Sequence, residues 1–328
     1  MKPAQGFHYK NENLVVIPRI NKIDDSVTSM GSLVNCLSHL DKILIRIRNS
    51  QFDLPIYPNL ENIIQSPSQL GYASKFEPMS GWPLLQSEYL EKQSQLTKHK
   101  IMYEDGQLVD TSNHINTKEW FPFDIILAIE YTKTFPFFAK LCQSDQLCLV
   151  KGTSFFIRTV TMTYMSFNAK KDVLHTPDGI CMTEQSIKTM IGFHTTADVK
   201  TLLIQRIYRK FVLRILEPLL REKFTYPEYL LLKAIIATNP ALDLSKEGQQ
   251  IVRDERNKYA RALLDLCLLK CGRVHGPSRF LTVINYISVI ENHQNDMREF
   301  LTMSQLFTTI PISKSRRKLE NDVLCINL

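Results

Sequence analysis

The chain reads as an all-α domain of roughly ten helices with one small β-hairpin. Three observations support that reading. From Val27 onward apolar residues recur at helical spacing. Beyond Lys118 the same period returns segment after segment, broken at Pro136, Pro218 and Gly272. No strand and helix alternation exists to build a doubly wound nucleotide fold.

Residues 1–25 are polar and irregular, a hinge-like segment ahead of the domain at 26–328. Apolar positions 30, 33, 34, 37, 40, 44 and 47 make a stripe on one face, and Ser26 is a fitting cap for that helix. Residues 51–117 hold five prolines and no sustained period, which predicts a long connection with short local helices, for example over 88–98. Trp120 to Thr134 is helical again until Pro136. Ser144 and Asp145, a hydroxyl followed by an acid, predict the start of a helix running from Gln146 to about Phe167. That helix is apolar on most sides, so it belongs in the interior. The stretch from Asp172 to Thr183 carries Pro-Asp-Gly between short apolar runs, the pattern of a small hairpin. Further helices are expected over 199–216, ending near Pro218, and over 226–238, 245–271 and 277–307. A basic cluster, KSRRK at 314–318, precedes a short closing segment. No internal repeat is present.

With 44% hydrophobic and 22% charged residues among 328, the chain can bury a sizeable core. No apolar run has the length of a membrane span, and the first residues have no apolar signal core, so neither insertion nor secretion is expected. Seven cysteines, an odd and scattered number, suit reduced thiols inside a cell. Cys267, Cys271 and His275 fall at four-residue steps, but Gly272 breaks their register and a fourth ligand is lacking; buried thiols are the expectation, and no metal or cofactor. The net charge of +7 permits an acidic partner without requiring one. There is no GxGxxG, GxSxG, HExxH or CxxC, and Lys151-Gly152-Thr153 has the wrong order for a phosphate loop. No residue stands out as a nucleophile or base, so an enzyme is not expected and no catalytic residue is assigned.

The run AIEYTKTFPFFAKL…SDQLCLVKG, 128–152, resembles the signature of nuclear hormone receptor ligand-binding domains. It joins the end of their third helix to the fourth and fifth. The Phe137-Phe138 version resembles the large nematode branch. PEYLLLKAI (227–235), ALLDLCL (262–268) and GPSRF (276–280) are similar to the family's eighth, ninth and tenth helices. The resemblance covers about Thr117 to the C-terminus, with 27–48 fitting the first helix. It implies a three-layer helical sandwich of about ten to twelve helices and one small hairpin. The opening MKPA resembles the segment that follows the second zinc finger in such receptors, so no direct DNA binding by this chain is expected.

The same resemblance implies a function and places its residues. A receptor of this kind regulates transcription in the nucleus (possible presence in the cytoplasm included) by binding a small apolar ligand, a lipid or steroid-like molecule, and coregulator helices of LxxLL type. The guest helix lies in an apolar groove, and lysines at the rim bond its free C-terminal carbonyls. Lys133 and Lys151 match those rim positions, with Gln146 on the same face. The opposite rim is matched by Leu319-Glu320-Asn321-Asp322-Val323-Leu324, where Asp322 replaces the usual Glu and Glu320 an apolar residue. Asp reaches one methylene less far, which counts against ligand-dependent activation and leaves repression or constitutive docking open. Phe121, Ile125, Ala128 and Ile129 on the third helix, with Phe155, Arg158, Thr159 and Met162 on the fifth, are the candidate pocket lining, and Arg158 is expected to meet an internal carboxylate or an acidic ligand. Phe280, Ile284, Ile287 and Val289 are the candidate face for a homodimer or a heterodimer with another nuclear receptor. A ligand-independent helical interaction and dimerisation module with a filled pocket is the alternative.

Overall fold

The computed structural model describes residues 27–53, 59–83, 103–104, 107–108, 118–184, 205–240, 243–307 and 314–324. The Ser26 cap, the helix expected over 88–98, the 1–25 segment and the start of the 199–216 helix lie outside them.

Helix α1, Val27–Arg48, forms where the stripe predicts, and Leu33, Leu37, Leu40, Leu44 and Ile47 are buried along it. The connection that follows is not irregular throughout. It contains α2, Leu60–Gln65, a 3-10 turn over Gln69–Lys75, and a two-residue antiparallel pair, β1 (Tyr103–Glu104) with β2 (Gln107–Leu108). Then come α3, Trp120–Lys133, and α4, Gln143–Asn168. Helix α4 starts three residues earlier than Gln146: Cys142 is its N-cap, and Ser144 and Asp145 lie inside the first turn. Asp145 instead accepts from Ser245 N and Oγ at 2.8 and 2.6 Å, tying this end of α4 to the helix that begins at Lys246.

The hairpin expected at 172–183 is reduced to one antiparallel bridge, His175 to Cys181, turned at Gly179 with φ +93°. After a π-helical turn at Arg209–Leu213 comes α5, Arg214–Glu222, which runs through Pro218 rather than ending there. Proline weakens a helix locally, but burial of Ile215, Leu216 and Leu219 holds the turn, and Tyr286 Oη donates to Ile215 O at 2.8 Å. Helix α6, Tyr226–Ala237, opens with a capping box between Thr225 and Glu228. The run Lys246–Phe307 is two helices, α7 (246–271) and α8 (273–307), meeting at Gly272, whose φ of +73° is left-handed. The expected break therefore falls at that glycine. The KSRRK cluster opens α9, Lys314–Leu324.

Helices α4 and α6 pass between α1 and α3 on one side and α5 and α8 on the other, a three-layer all-α sandwich. Their side chains are buried on most sides, as the apolar run of α4 predicts. Buried polar struts tie the layers. Arg48 donates twice to Asp124, at 2.7 and 2.9 Å, fastening α1 to α3. Lys118 caps the end of α1 by donating to Arg48 O and Ser50 O, at 3.2 and 2.6 Å, and burial lowers its ammonium to about 8. Asp41 of α1 accepts from Lys233 and Tyr229, both at 2.8 Å, and from Tyr226 at 3.0 Å, all on α6. Gly276 lets α8 approach α7, since a Cβ there would lie 2.8 Å from the Leu268 Cα. Among the described residues no helix is long and apolar enough to cross a membrane, and no group of His, Cys, Asp and Glu is placed to hold a metal. Cys267 is buried, its thiol pushed up to about 11 chiefly by burial, but Cys271 is exposed, contrary to expectation.

Candidate functional site

The pocket residues expected on α3 and α4 do converge, but on one another. Ile125, Ala128, Ile129, Phe155 and Thr159 are buried, and the Phe121 and Phe155 rings sit 6.3 Å apart. Arg158 lies over the Phe121 ring at 4.6 Å and donates from Nη2 to Met162 Sδ at 3.7 Å. Met162 also packs into a second apolar cluster with Leu174, Phe211 and Ile215. A cavity of about 10 Å³ remains between Leu44, Arg48, Asp124, Leu127, Ala128, Ile157, Arg158 and Thr161. That is room for about one water.

Polar atoms in this region are less well provided for than its packing. Among the described residues, Arg158 Nε, Thr159 Oγ1 and both ring nitrogens of His293 are buried with no hydrogen-bond partner. His293, on α8, is wedged against Phe155 and Phe211 at 5.4 and 5.6 Å between ring centroids. Burial, and then the Arg158 charge, lowers its imidazole to about 3. Burial also lowers the Arg158 guanidinium to about 10, with Asp124 opposing. His293 was not expected from the sequence; the available signal is a lone histidine within the buried period of 283, 286 and 290.

The four groove residues divide into two places. Lys151 Nζ stands 3.6 Å from Asp322 Oδ1 of α9, both side chains about one-third exposed. Helix α9 packs on α4 and α3 through buried Leu319, Val323 and Leu324, and Arg298 of α8 donates to Leu324 O. Gln146 is turned to the backbone, Nε2 donating to Phe138 O at 2.9 Å. Lys133, at the end of α3, has a side chain only 5% exposed. Its Nζ donates to Ile63 O of α2, to Ser66 Oγ at 3.4 Å and to Glu130 Oε1 at 3.0 Å. Burial raises the Glu130 carboxyl and lowers the Lys133 ammonium, each partly offset by the other. Ile63 and Ser66 were missed in sequence because nothing in 51–117 is periodic enough to join to α3; Glu130 had a signal, its i,i+3 spacing from Lys133 on one helix.

The dimer candidates on α8 face inward more than expected. Ile287 is buried, and Phe280, Ile284 and Val289 are half-buried against the core. The apolar side chains left in solvent around the α7–α8 joint are Leu269, Val274 and Leu281, at 65, 82 and 56% exposure.

The model of the ligand-binding domain of nuclear hormone receptor matches residues 104–307. The chain belongs to that family. The domain is 30% identical over 285 residues to nuclear hormone receptor family member nhr-60 of Caenorhabditis elegans, a match over 85% of this chain and 58% of that protein. With family member nhr-136 of the same organism it shares 33% over 177 residues, 53% of this chain and 38% of that one. The chain thus spans little more than half the length of the first and well under half of the second. In shape it is similar to the ultraspiracle ligand binding domain from Drosophila melanogaster, with a TM-score of 0.50 at 14% identity, covering 88% of this chain and 96% of that one. The nuclear receptor blocks that stand apart in sequence meet in space. Arg279 of GPSRF bonds Glu228 of PEYLLLKAI through Nε and Nη2, at 2.7 and 2.8 Å, and also donates to Glu222 O at 2.8 Å. The pair locks α8 to the start of α6.

Proposed function

We propose that the chain is the ligand-binding domain of a nuclear receptor that regulates transcription in the nucleus, taking a small apolar ligand and coregulator helices and pairing with itself or another nuclear receptor. The observation that carries the ligand part is the group of buried, unpartnered polar atoms on Arg158, Thr159 and His293 beside apolar Phe121, Phe155 and Met162. Such atoms are rare in native interiors and invite an acceptor such as a carboxylate or carbonyl on an otherwise apolar molecule. The coregulator part rests on the resemblance; Lys151 and Asp322, expected on opposite rims, stand 3.6 Å apart, so a guest helix has to part them.

The packing of Phe121, Phe155, Arg158 and Met162 on one another favours a second reading, a helical interaction module with a filled pocket and no natural ligand. Native mass spectrometry of the purified chain separates the two. A bound apolar acid or carbonyl compound, lost in Arg158→Met, supports sensing; an empty protein whose thermal midpoint ignores such compounds supports the module. Dimerisation is assigned to the exposed apolar side chains at the α7–α8 joint. Leu281→Glu then turns a concentration-dependent dimer into a monomer in analytical ultracentrifugation, and an unchanged sedimentation profile refutes that face.

A further inference from the structure

We propose that residues 60–66 are a resident guest of the coregulator groove, so that external helices bind only by displacing the chain's own α2. The inference rests on the reading of Lys133 as a groove lysine. Three independent features of α2 match a guest helix. Its sequence is Leu60-Glu61-Asn62-Ile63-Ile64, apolar at the spacing of a Leu-x-x-Leu-Leu helix. Those three apolar residues are 1, 3 and 8% exposed, whereas Glu61, Asn62 and Gln65 face solvent. Its C-terminal carbonyl, Ile63 O, receives the Lys133 ammonium, the bond a rim lysine offers an incoming helix.

The surroundings fit a docked segment rather than a fixed wall. Helix α2 packs on α3 and α4, the two helices α9 also packs on. The chain leaving α2 is latched to the same end of α3: Ser68 Oγ donates to Glu130 O at 3.0 Å, and Gln69 N to Glu130 Oε2 at 2.7 Å. Glu130 therefore orients Lys133 and holds the strap beyond the helix with its two oxygens. A six-residue helix is far too short to persist alone in water, so α2 is helical because it is docked. Its ends are closed locally: Asn59 Oδ1 accepts from Asn62 N at 2.9 Å, Asn59 O from Ile63 N at 3.2 Å, Asn62 O from Ser66 N at 3.2 Å, and Ile63 O from Ser66 Oγ at 2.9 Å. Undocking α2 uncovers Leu60, Ile63 and Ile64, which pack into the main core, and opens Lys133.

The tether sets the size of the effect. A segment joined by a short linker meets its site at roughly millimolar effective concentration. A resident segment whose own untethered Kd for the groove is about 0.1 mM to 10 μM then weakens any external helix ~10- to ~100-fold. The test uses the full chain and a fluorescent amphipathic peptide containing Leu-x-x-Leu-Leu, read by anisotropy. Leu60→Ser combined with Ile63→Ser releases α2 and should tighten the peptide at least tenfold, with Lys133→Ala in the released chain removing that gain. A released chain that binds no better than the parent overturns the inference. If both then lose affinity on Lys133→Ala, the groove reading survives without it.

A synthetic peptide of residues 57–69 should bind the released chain and compete for Lys133. If it binds and the Leu-x-x-Leu-Leu peptide does not, the resident is upheld and the coregulator reading falls. A second measurement needs no variant. In the parent saturated with the external peptide, amides at 62–66 should exchange with deuterium faster than in the free protein; unchanged or increased protection there overturns the proposal.

Discussion

Lys233 is fully buried in α6, and its ammonium is answered by one carboxylate, that of Asp41 in α1. Removing that carboxylate by Asp41→Ala leaves a cation in a site at 0% exposure, over the Tyr131 ring at 4.3 Å, and deprives the Tyr226 and Tyr229 hydroxyls of their acceptor. Breaking a buried pair from one side costs about 3–5 kcal/mol. An independent bound agrees. The stranded lysine sheds its proton when that is cheaper, and at pH 7 this costs about 1.4 kcal/mol for each unit below about 10.4, roughly 4–5 kcal/mol. The loss is a large part of a domain's usual margin of about 5–15 kcal/mol.

The sign with pH follows. Burial already lowers the Lys233 pKa in the parent, and loss of Asp41 lowers it further. The unfolded chain then binds the extra proton, so the variant regains stability as pH rises from 7 toward 10. Urea unfolding at pH 7 and pH 9.5 measures both effects. Asp41→Leu combined with Lys233→Met should recover much of the loss, because no charge is left unpaired. A loss under about 1 kcal/mol for Asp41→Ala, or a double variant less stable than the single one, refutes the reasoning.

Other outcomes follow from the same kind of argument. His293 is held near a pKa of about 3 in the fold against about 6.5 unfolded, so the unfolded chain takes the proton first as pH falls. Its share of the stability loss between pH 7 and pH 5 is about 2 kcal/mol; urea midpoints should show His293→Leu losing that much less, and equal losses would sink the idea. Asp322→Asn should shift stability by no more than about 1 kcal/mol, because the Lys151 pair is well solvated, whereas Asp322→Glu should tighten a Leu-x-x-Leu-Leu peptide a few-fold in anisotropy; weaker binding removes α9 from the rim. Gly276→Ala forces α7 and α8 apart at Leu268 and should cost about 1–3 kcal/mol in thermal or urea unfolding; a neutral result means that the crossing relaxes freely.

Most of the architecture was legible because its causes are local. The apolar period of 30–47 makes one buried stripe whatever packs on it, and Gly272 can break a helix by its own backbone freedom. The blocks that resemble the nuclear receptor family are likewise short, ordered strings. What sequence could not decide depends on partners far along the chain. Six residues, 60–65, carry too little period to predict a helix, and only docking against α3 and α4 makes them one. Pro218 reads as an end by itself, yet buried neighbours carry the helix through it. Phe280, Ile284, Ile287 and Val289 are apolar in sequence, but how much of each side chain the chain's own core covers depends on how α8 lies on its neighbours. The same holds for the lysines. A cation in an apolar stretch signals only that an acceptor must exist; Asp41, 192 residues from Lys233, and Ile63, 70 from Lys133, were chosen by the tertiary fold, because Coulomb attraction and hydrogen bonding act across space and leave no spacing in the chain.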